Sequence, residues 1–437
     1  MLRWLLPGMK VKRWLAIALS GLILILISLL FLLDIEIFNE LSQLVATLEE
    51  ELVPAAGILI GLMILGGGLL FLTLGLRGMV NSLFKTLQPD PNDDLATVVY
   101  HRRMQERGPR VVVLGGGTGL ATLLRGIKEY TSNITAIVTV TDDGGSSGKI
   151  RNEMGILPPG DIRNCLVALA EAEPLMQKLF QYRFYGNADL EGHSFGNLFI
   201  AAMSKISGDF ETAIRQSSRV LAVRGRVLPS TLTNCLLCAR YTDGTETCGE
   251  TNIPRPDRKI EKVYLNPLNC KPHPDTIKAL REAEIIILGP GSLYTSIIPN
   301  LLVKGIPEAL RSSEAMKIYV CNVMTQAGET QSYDAGDHLE AIERHSGGRI
   351  ADYIIVNNKK VNPRSASRYE EEGAFPVTFD LDGLNKKGIN VIESPLLDEE
   401  DYVRHNPQAL AREIMELAGY LRNGRENTLL KLWNWGW

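Results

Sequence analysis

Two glycine-rich turns, one strand–helix–strand unit apart, constrain this chain more than any other feature. The first follows Val111-Val112-Val113-Leu114 and reads Gly115-Gly116-Gly117-Thr118-Gly119. The second follows Ile137-Val138-Thr139-Val140-Thr141 and reads Asp142-Asp143-Gly144-Gly145-Ser146-Ser147-Gly148. Each apolar, β-branched run reads as a buried parallel strand. Each breaks into glycines where a strand hands over to a helix. Backbone N–H groups can then approach a phosphate with no Cβ in the way, and a helix N-terminus favours its charge. Asp142 and Asp143 close the second strand, about where a Rossmann-type unit holds a ribose, roughly 20 residues past the loop. The chain is expected to hold a nucleotide. Neither familiar fingerprint is met, however. Leu120 or Thr122 stands where G-x-G-x-x-G needs its last glycine, and no lysine stands where a P-loop requires one. A turn serving only tight strand–helix packing is the plainer alternative for the first loop alone; the second turn beside it argues against that.

Further polar turns follow in the same style. Leu157-Pro158-Pro159-Gly160-Asp161-Ile162-Arg163-Asn164 leads into a helix over Cys165–Glu173, with Asp161 or Asn164 as its cap. His193-Ser194-Phe195-Gly196-Asn197 precedes an apolar helix over Leu198–Ile206. Asp243-Gly244, between threonine-rich runs, predicts an antiparallel hairpin inserted in a mainly parallel sheet. Glu284–Leu288 reads as a strand entering Gly289-Pro290-Gly291-Ser292. Lys317–Cys321 reads as the next, ending in Asn322-Val323-Met324-Thr325-Gln326. A helix over Ala335–Arg344, a strand over Tyr353–Val356 and an amphipathic helix over Pro407–Arg422 complete the pattern. The fold class is α/β, a Rossmann-like, doubly wound, mainly parallel sheet. In such sheets ligands bind beyond the carboxyl ends of the strands, so one crevice would gather these turns.

A two-helix transmembrane hairpin is predicted ahead of this domain. Trp14–Leu33 and Pro54–Leu76 are uncharged apolar runs. At 1.5 Å per residue each can cross a hydrocarbon core of about 30 Å. The first is too long for a signal-peptide core and lacks a cleavage site. Arg3, Lys10, Lys12 and Arg13 precede the first run, and Arg77 and Lys85 follow the second. The connecting segment carries Asp34, Glu36, Glu40, Glu49, Glu50 and Glu51 with no Lys or Arg. The positive-inside rule puts both ends, and the α/β domain, in the cytoplasm. Gly66, Gly67 and Gly68 would permit close helix packing. The predicted organisation is a membrane hairpin over 1–85, a linker over 86–110, the α/β domain over 111–395, and a C-terminal helix with a Trp-rich tail over 396–437. That tail, Leu432-Trp433-Asn434-Trp435-Gly436-Trp437, either touches the membrane surface or packs on the domain. A net charge of −4 gives no sign of nucleic-acid binding.

Chemistry centres on a few side chains. Asp142 and Asp143 can bind a ribose, ligate Mg²⁺ or cap the following turn; adjacent carboxylates at a strand end favour ligand or metal. His193 is the best-placed histidine for proton transfer, with a structural role as its alternative, and no partner carboxylate is visible. His338 and Asp337 read as a solvated helix face near Tyr333. Arg368 is a surface residue or reaches the crevice. Six cysteines fit a reducing compartment. Cys235 and Cys238 form a C-x-x-C within a predicted strand, Thr231–Tyr241, and read as buried small side chains rather than metal ligands.

Together GGGTGLATLLRG, TVTDDGGSSGKIR, PPGDIRN, HSFGN, GPGSLYTSIIPNLL and CNVMTQAGET resemble the gluconeogenesis factor family. This family belongs to a CofD-like superfamily with the 2-phospho-L-lactate transferases. The resemblance covers about 111–420. It implies a domain that binds a UDP-sugar, with UDP-N-acetylglucosamine favoured. It also implies a role in cell shape and cell-wall precursor metabolism during gluconeogenic growth. The nucleotide-binding set it suggests is Gly115, Gly116, Gly117, Thr118, Gly119, Asp142, Asp143, Gly144, Gly145, Asp161, Asn164, His193, Asn197, Gly289, Gly291, Ser292, Asn322, Thr325, Tyr333 and Arg368. Asp142 and Asp161 are the candidate Mg²⁺ ligands. A binding regulator is preferred, and a Mg²⁺-dependent 2-phospho-L-lactate transferase-like enzyme is the alternative. The hairpin departs from a mostly soluble family and suggests tethering near wall synthesis, with a wall-synthesis protein or a second copy as partner. A reporter fused at Leu44 is expected to read outside the cytoplasmic membrane; an inside signal overturns the topology.

Overall fold

The computed structural model describes residues 11–32, 53–87, 102–171, 174–186, 190–398 and 403–420. The chain divides into two compact units, Met1–His101 and Arg102–Trp437. The acidic connecting segment and the Trp-rich tail lie outside the described residues.

The first unit pairs two helices, Val11–Leu32 and Val53–Leu87. They meet along small residues. A Cβ at Gly21 would strike the Leu72 backbone, one at Gly75 the Ala18 backbone, and one at Gly68 would sit 2.8 Å from Ile25. Ser28 adds a buried hydrogen bond, its hydroxyl donating to the Gly61 carbonyl at 2.7 Å. Of the three glycines predicted to pack, only Gly68 does so. Gly66 and Gly67 have open space where a Cβ would stand. Leu59–Val80 is long and apolar enough to cross a membrane, with a mean hydropathy of 2.3, whereas the apolar stretch of the first helix, Arg13–Leu29, is shorter.

The second unit is built on a seven-stranded, all-parallel sheet: β1 (Val111–Gly115), β2 (Ile134–Val138), β3 (Arg226–Pro229), β7 (Ile285–Leu288), β8 (Met316–Val320), β9 (Tyr353–Asn357) and β10 (Asn390–Ser394). The strand order is β10-β9-β8-β7-β1-β2-β3. Chain order therefore reverses between β1 and β7, and that gap is the topological switch point. Val111–Leu114, Ile285–Leu288 and Ile318–Val320 are buried because helices cover both faces, which is why these strands read as continuous apolar runs. The predicted hairpin is present as an antiparallel insertion of three strands, β4 (Leu236–Tyr241), β5 (Glu246–Cys248) and β6 (Ile260–Asn266), in the order β5-β4-β6. Gly244 turns it with φ +79°, and the Asp243 carboxylate accepts from the Thr245 N–H.

Several boundaries move. A helix over 102–106 falls in the predicted linker but belongs to the second unit, where the Gln105 amide donates to the Lys128 and Glu129 carbonyls. The helix predicted from Cys165 begins at Gly160 and ends at Leu169. Its N-cap is Pro159, so neither Asp161 nor Asn164 caps it. The predicted strand Thr231–Tyr241 shortens to Leu236–Tyr241, leaving Cys235 outside it. His338 is fully buried rather than solvated, its ring edge-on to Tyr333.

The C-terminal helix Pro407–Leu417 seats on helix Gly117–Ile127 through Gly126, where a Cβ would collide with the Pro407 carbonyl. Backbone cannot retreat as a side chain can, so Gly126→Ala should lower unfolding free energy by about 1–3 kcal/mol. Urea denaturation of wild type and variant checks this; an unchanged midpoint contradicts the contact.

Candidate functional site

The loops that leave the carboxyl ends of β1, β2 and β7 converge at the switch point. Gly116 is extended, and a Cβ there would sit 2.5 Å from Asp161 Oδ2 and 2.8 Å from Thr139. A Cβ at Gly119 would lie 2.7 Å from the Pro290 carbonyl oxygen. Gly117 takes φ +64°. The glycines are thus required by close approach, whichever ligand is bound. Gly115 differs: its position has room for a methyl, and its carbonyl accepts from Asn300 and the Thr139 N–H. Thr118 is exposed at the mouth of the turn.

Helices Gly117–Ile127, Gly145–Met154, Gly160–Leu169 and Phe195–Ser207 start from these loops or pack beside them. The first three have no side-chain cap at the N-cap residue, and the Gly117 N–H that opens the first of them donates to Asp161. The fourth is capped internally by Ser194.

The paired aspartates separate in role. Asp142 Oδ1 accepts from the Gly144 N–H at 2.9 Å, capping its own turn, while Oδ2 lies 3.1 Å from where a Gly160 Cβ would stand. Asp143 turns to the antiparallel insertion, accepting from the Thr251 N–H at 3.0 Å and the Thr251 hydroxyl at 3.1 Å. Its carboxylate holds the insertion against the loop. Asp161 sits with Asp142. Burial, with the neighbouring Asp142 charge second, raises Asp161 to about 7, although the Gly117 N–H and Arg163 oppose the shift. Glu250, delivered by the insertion, accepts from Thr141 at 3.1 Å and is pushed well above the usual range by burial and then by Asp161 and Asp142.

His193 has a structural setting. Its Nδ1 is 3.1 Å from the Ser146 hydroxyl, to which the Asn197 amide donates at 3.0 Å. Arg163 donates to Ser194 at 2.5 Å and to Asn164 at 2.7 Å. These side chains brace the second turn against helix Phe195–Ser207.

The third turn is braced from within. The Gly291 N–H points to Asn322 Oδ1 at 3.4 Å, and Gln326 donates to Ser292 at 2.9 Å. Gly289 has φ +79° and Gly291 φ +157°. A π-helix, Leu293–Ile297, follows. Its first N–H groups meet Glu329, which accepts from the Tyr294 N–H at 3.2 Å and the Thr295 hydroxyl at 2.9 Å. Burial raises Glu329 to about 7 against those bonds. Tyr333 stands half-buried, its hydroxyl 2.8 Å from that of buried Tyr294. Thr325 is buried, and its backbone and hydroxyl hold Phe375, so it ties two loops together. Arg368 is exposed on helix Pro363–Glu371, which follows β9, well out from the switch point in the strand order.

The structure therefore gathers Gly116, Gly117, Gly119, Asp142, Asp161, Gly291 and their neighbours. It gives Asp143, His193, Asn197 and Thr325 structural partners. Glu250 and Thr251 escaped notice in the sequence, and Arg163 and Ser146 lay inside quoted motifs without a role. Glu329 lay inside a quoted motif but carried no pattern of its own.

Fold and site together define a doubly wound α/β domain with a glycine-lined crevice at its switch point. Residues 111–397 match the family model described as 2-phospho-L-lactate transferase CofD. A putative gluconeogenesis factor from Nostoc is 47% identical over 97% of this chain and 94% of its own length. The gluconeogenesis factor of Bacillus subtilis is 48% identical over 71% of this chain and 98% of its own. The crystal structure of a Bacillus halodurans protein of the UPF0052 family, 48% identical, covers 70% of this chain and 99% of its own with a TM-score of 0.68. The chain belongs to the gluconeogenesis factor family within the CofD-like superfamily. The Nostoc alignment takes in most of the first unit, so a long N-terminal extension is shared within the family rather than peculiar to this chain.

The buried carboxyl groups dictate a pH response. Unfolded, Asp161 releases its proton near pH 4; folded, it holds it to about 7. Between these values the folded state binds more protons, so stability falls as pH rises. Asp161→Asn should flatten that slope between about pH 4 and 7 in urea denaturation series; an unaltered slope contradicts the assignment.

Proposed function

We propose that the crevice binds a UDP-sugar, UDP-N-acetylglucosamine foremost, and that the chain is a binding regulator of cell shape and cell-wall precursor supply during gluconeogenic growth. The observation that carries this is the convergence of three helix starts without a side-chain cap, at Gly117, Gly145 and Gly160, beside Asp142 and Asp161. The 116–119 and 144–148 backbones would take the diphosphate. Asp142 would take the ribose or a cation, and half-buried Tyr333 would meet the sugar, with Arg368 as an outer contact. The relatives' name, gluconeogenesis factor, supports the gluconeogenic part of this role.

Mg²⁺ fits this site. Asp142 lies close enough to Asp161 to add to the upward shift that burial chiefly causes, and a cation would relieve that part of it. Among the described residues no cluster of three or more protein ligands forms, which suits a cation that completes its shell with water and phosphate oxygens. When bound, the ion would neutralise diphosphate charge. Asp142 and Asp161 would hold it.

One observation favours a second reading, a transferase of phosphorus-containing groups: Asp161, poised near neutrality, has the affinity a general base needs. In either case the apolar helix Leu59–Val80 would anchor the chain in the cytoplasmic membrane, with the α/β domain on the cytoplasmic side near a wall-synthesis partner or a second copy.

Calorimetric titration of the detergent-solubilised chain with UDP-N-acetylglucosamine, with and without Mg²⁺, tests the proposal. The ligand should bind and be recovered intact, and Asp142→Ala should weaken binding about tenfold or more, the equivalent of ~1.4 kcal/mol. A ligand consumed in the presence of Mg²⁺ would put the transferase first, and no binding overturns the UDP-sugar reading.

A further inference from the structure

Four of the six cysteines belong to the antiparallel insertion or border it: Cys235, Cys238, Cys248 and Cys270. Cys238 on β4 stands directly opposite Cys248 on β5, and the two form a disulfide. Cys238 is fully buried, but β5 is the edge strand and Cys248 is exposed on it. Cys165, Cys235, Cys270 and Cys321 are free and buried, and burial holds Cys235 up at about 12. Cys248 is thus the sulfur an incoming thiol can reach.

The residues just after Cys248 strap the insertion onto the second glycine turn. The Gly249 N–H donates to Leu237 at 2.8 Å, and the Asn252 side chain folds back onto the Cys248 carbonyl at 3.2 Å. Glu250 reaches Thr141, and Thr251 donates twice to Asp143. The other end of β5 is held separately: Glu246 accepts from Arg240 at 2.7 Å and from the Tyr264 hydroxyl at 2.8 Å. Cutting the disulfide would leave that end in place and remove the covalent tie beside the strap, which would then be held by hydrogen bonds alone.

We propose that Cys238–Cys248 is a thiol-exchange site for a dithiol reductant, and that its reduction releases the 249–252 strap from Asp143. A thiolate of the reductant attacks Cys248 Sγ, forming a mixed disulfide. The Cys238–Cys248 bond breaks, and Cys238 leaves as a thiolate that takes up a proton. The second thiol of the reductant then attacks the mixed disulfide and frees Cys248. The protein disulfide gains two electrons and the dithiol is oxidised to a disulfide. The cytoplasmic placement proposed above bears only on which reductant is met, since disulfides in that compartment are transient.

Amide exchange of the full chain in detergent, oxidised or reduced with dithiothreitol, tests this without any nucleotide, so it stands or falls apart from the UDP-sugar reading. Mass analysis after alkylation should count two more blocked cysteines in the reduced protein. Thr251 and Asn252 amides should lose about tenfold protection on reduction, while Val112 and Val113 in β1 keep theirs as a check of folding. C238S/C248S should show the unprotected behaviour in both conditions, and C235S should respond as wild type does. Equal alkylation in the two states, or equal protection of Thr251 and Asn252, overturns the proposal.

Discussion

The domain depends on one steric fact: the backbone leaving β1 runs where no side chain fits. Gly116 lies against Asp161 and Gly119 against Pro290, so the turn joins material from β7 on one side to the start of helix Gly160–Leu169 on the other. A Cβ at either place would push apart the loops that form the crevice. Asp161, half-buried against Gly116, has its proton affinity raised chiefly by loss of solvation. Geometry and charge of the site thus share one origin.

The crevice balances opposing fields. Helix starts without a side-chain cap at Gly117, Gly145 and Gly160 favour negative charge, while burial and then crowding beside Asp142 push Asp161 and Glu250 towards their protonated forms. The third turn is already answered: Glu329 occupies the Tyr294 N–H and the Thr295 hydroxyl that an external anion would otherwise meet. Asp143 and Thr251 extend the logic to the insertion, where a carboxylate with the look of a ligand serves as a clasp between two parts of the fold.

Much of this was legible in the residues. Unbroken apolar runs such as Val111–Leu114 can only be strands covered on both faces, and Asp243-Gly244 can hardly be other than a turn. The glycine turns pointed to the crevice because close backbone approach leaves a compositional trace. What escaped were side chains whose meaning is purely tertiary. Glu250 follows a short edge strand in an unremarkable threonine-rich stretch, and nothing local says that it arrives beside Asp161 from more than eighty residues away, on the order of a whole supersecondary unit. His338 carried helical spacing but no signal of which face would be covered. His193 drew attention through its neighbours, and those neighbours proved to be its partners in a brace.

The helical pair of the first unit has a consequence for how its sequence can vary. Gly21 and Ser28 on one helix, and Gly61, Gly68 and Gly75 on the other, recur at a common interval along the seam where the helices touch. Each residue added to an α-helix rotates the remainder of that helix by about 100°. One insertion inside either helix would therefore swing every later glycine off the seam and bring large side chains onto it. Substitution on the outward leucines leaves that phase untouched. The pair behaves as a ratchet with a fixed tooth spacing, tolerant of what coats it and intolerant of a change in count.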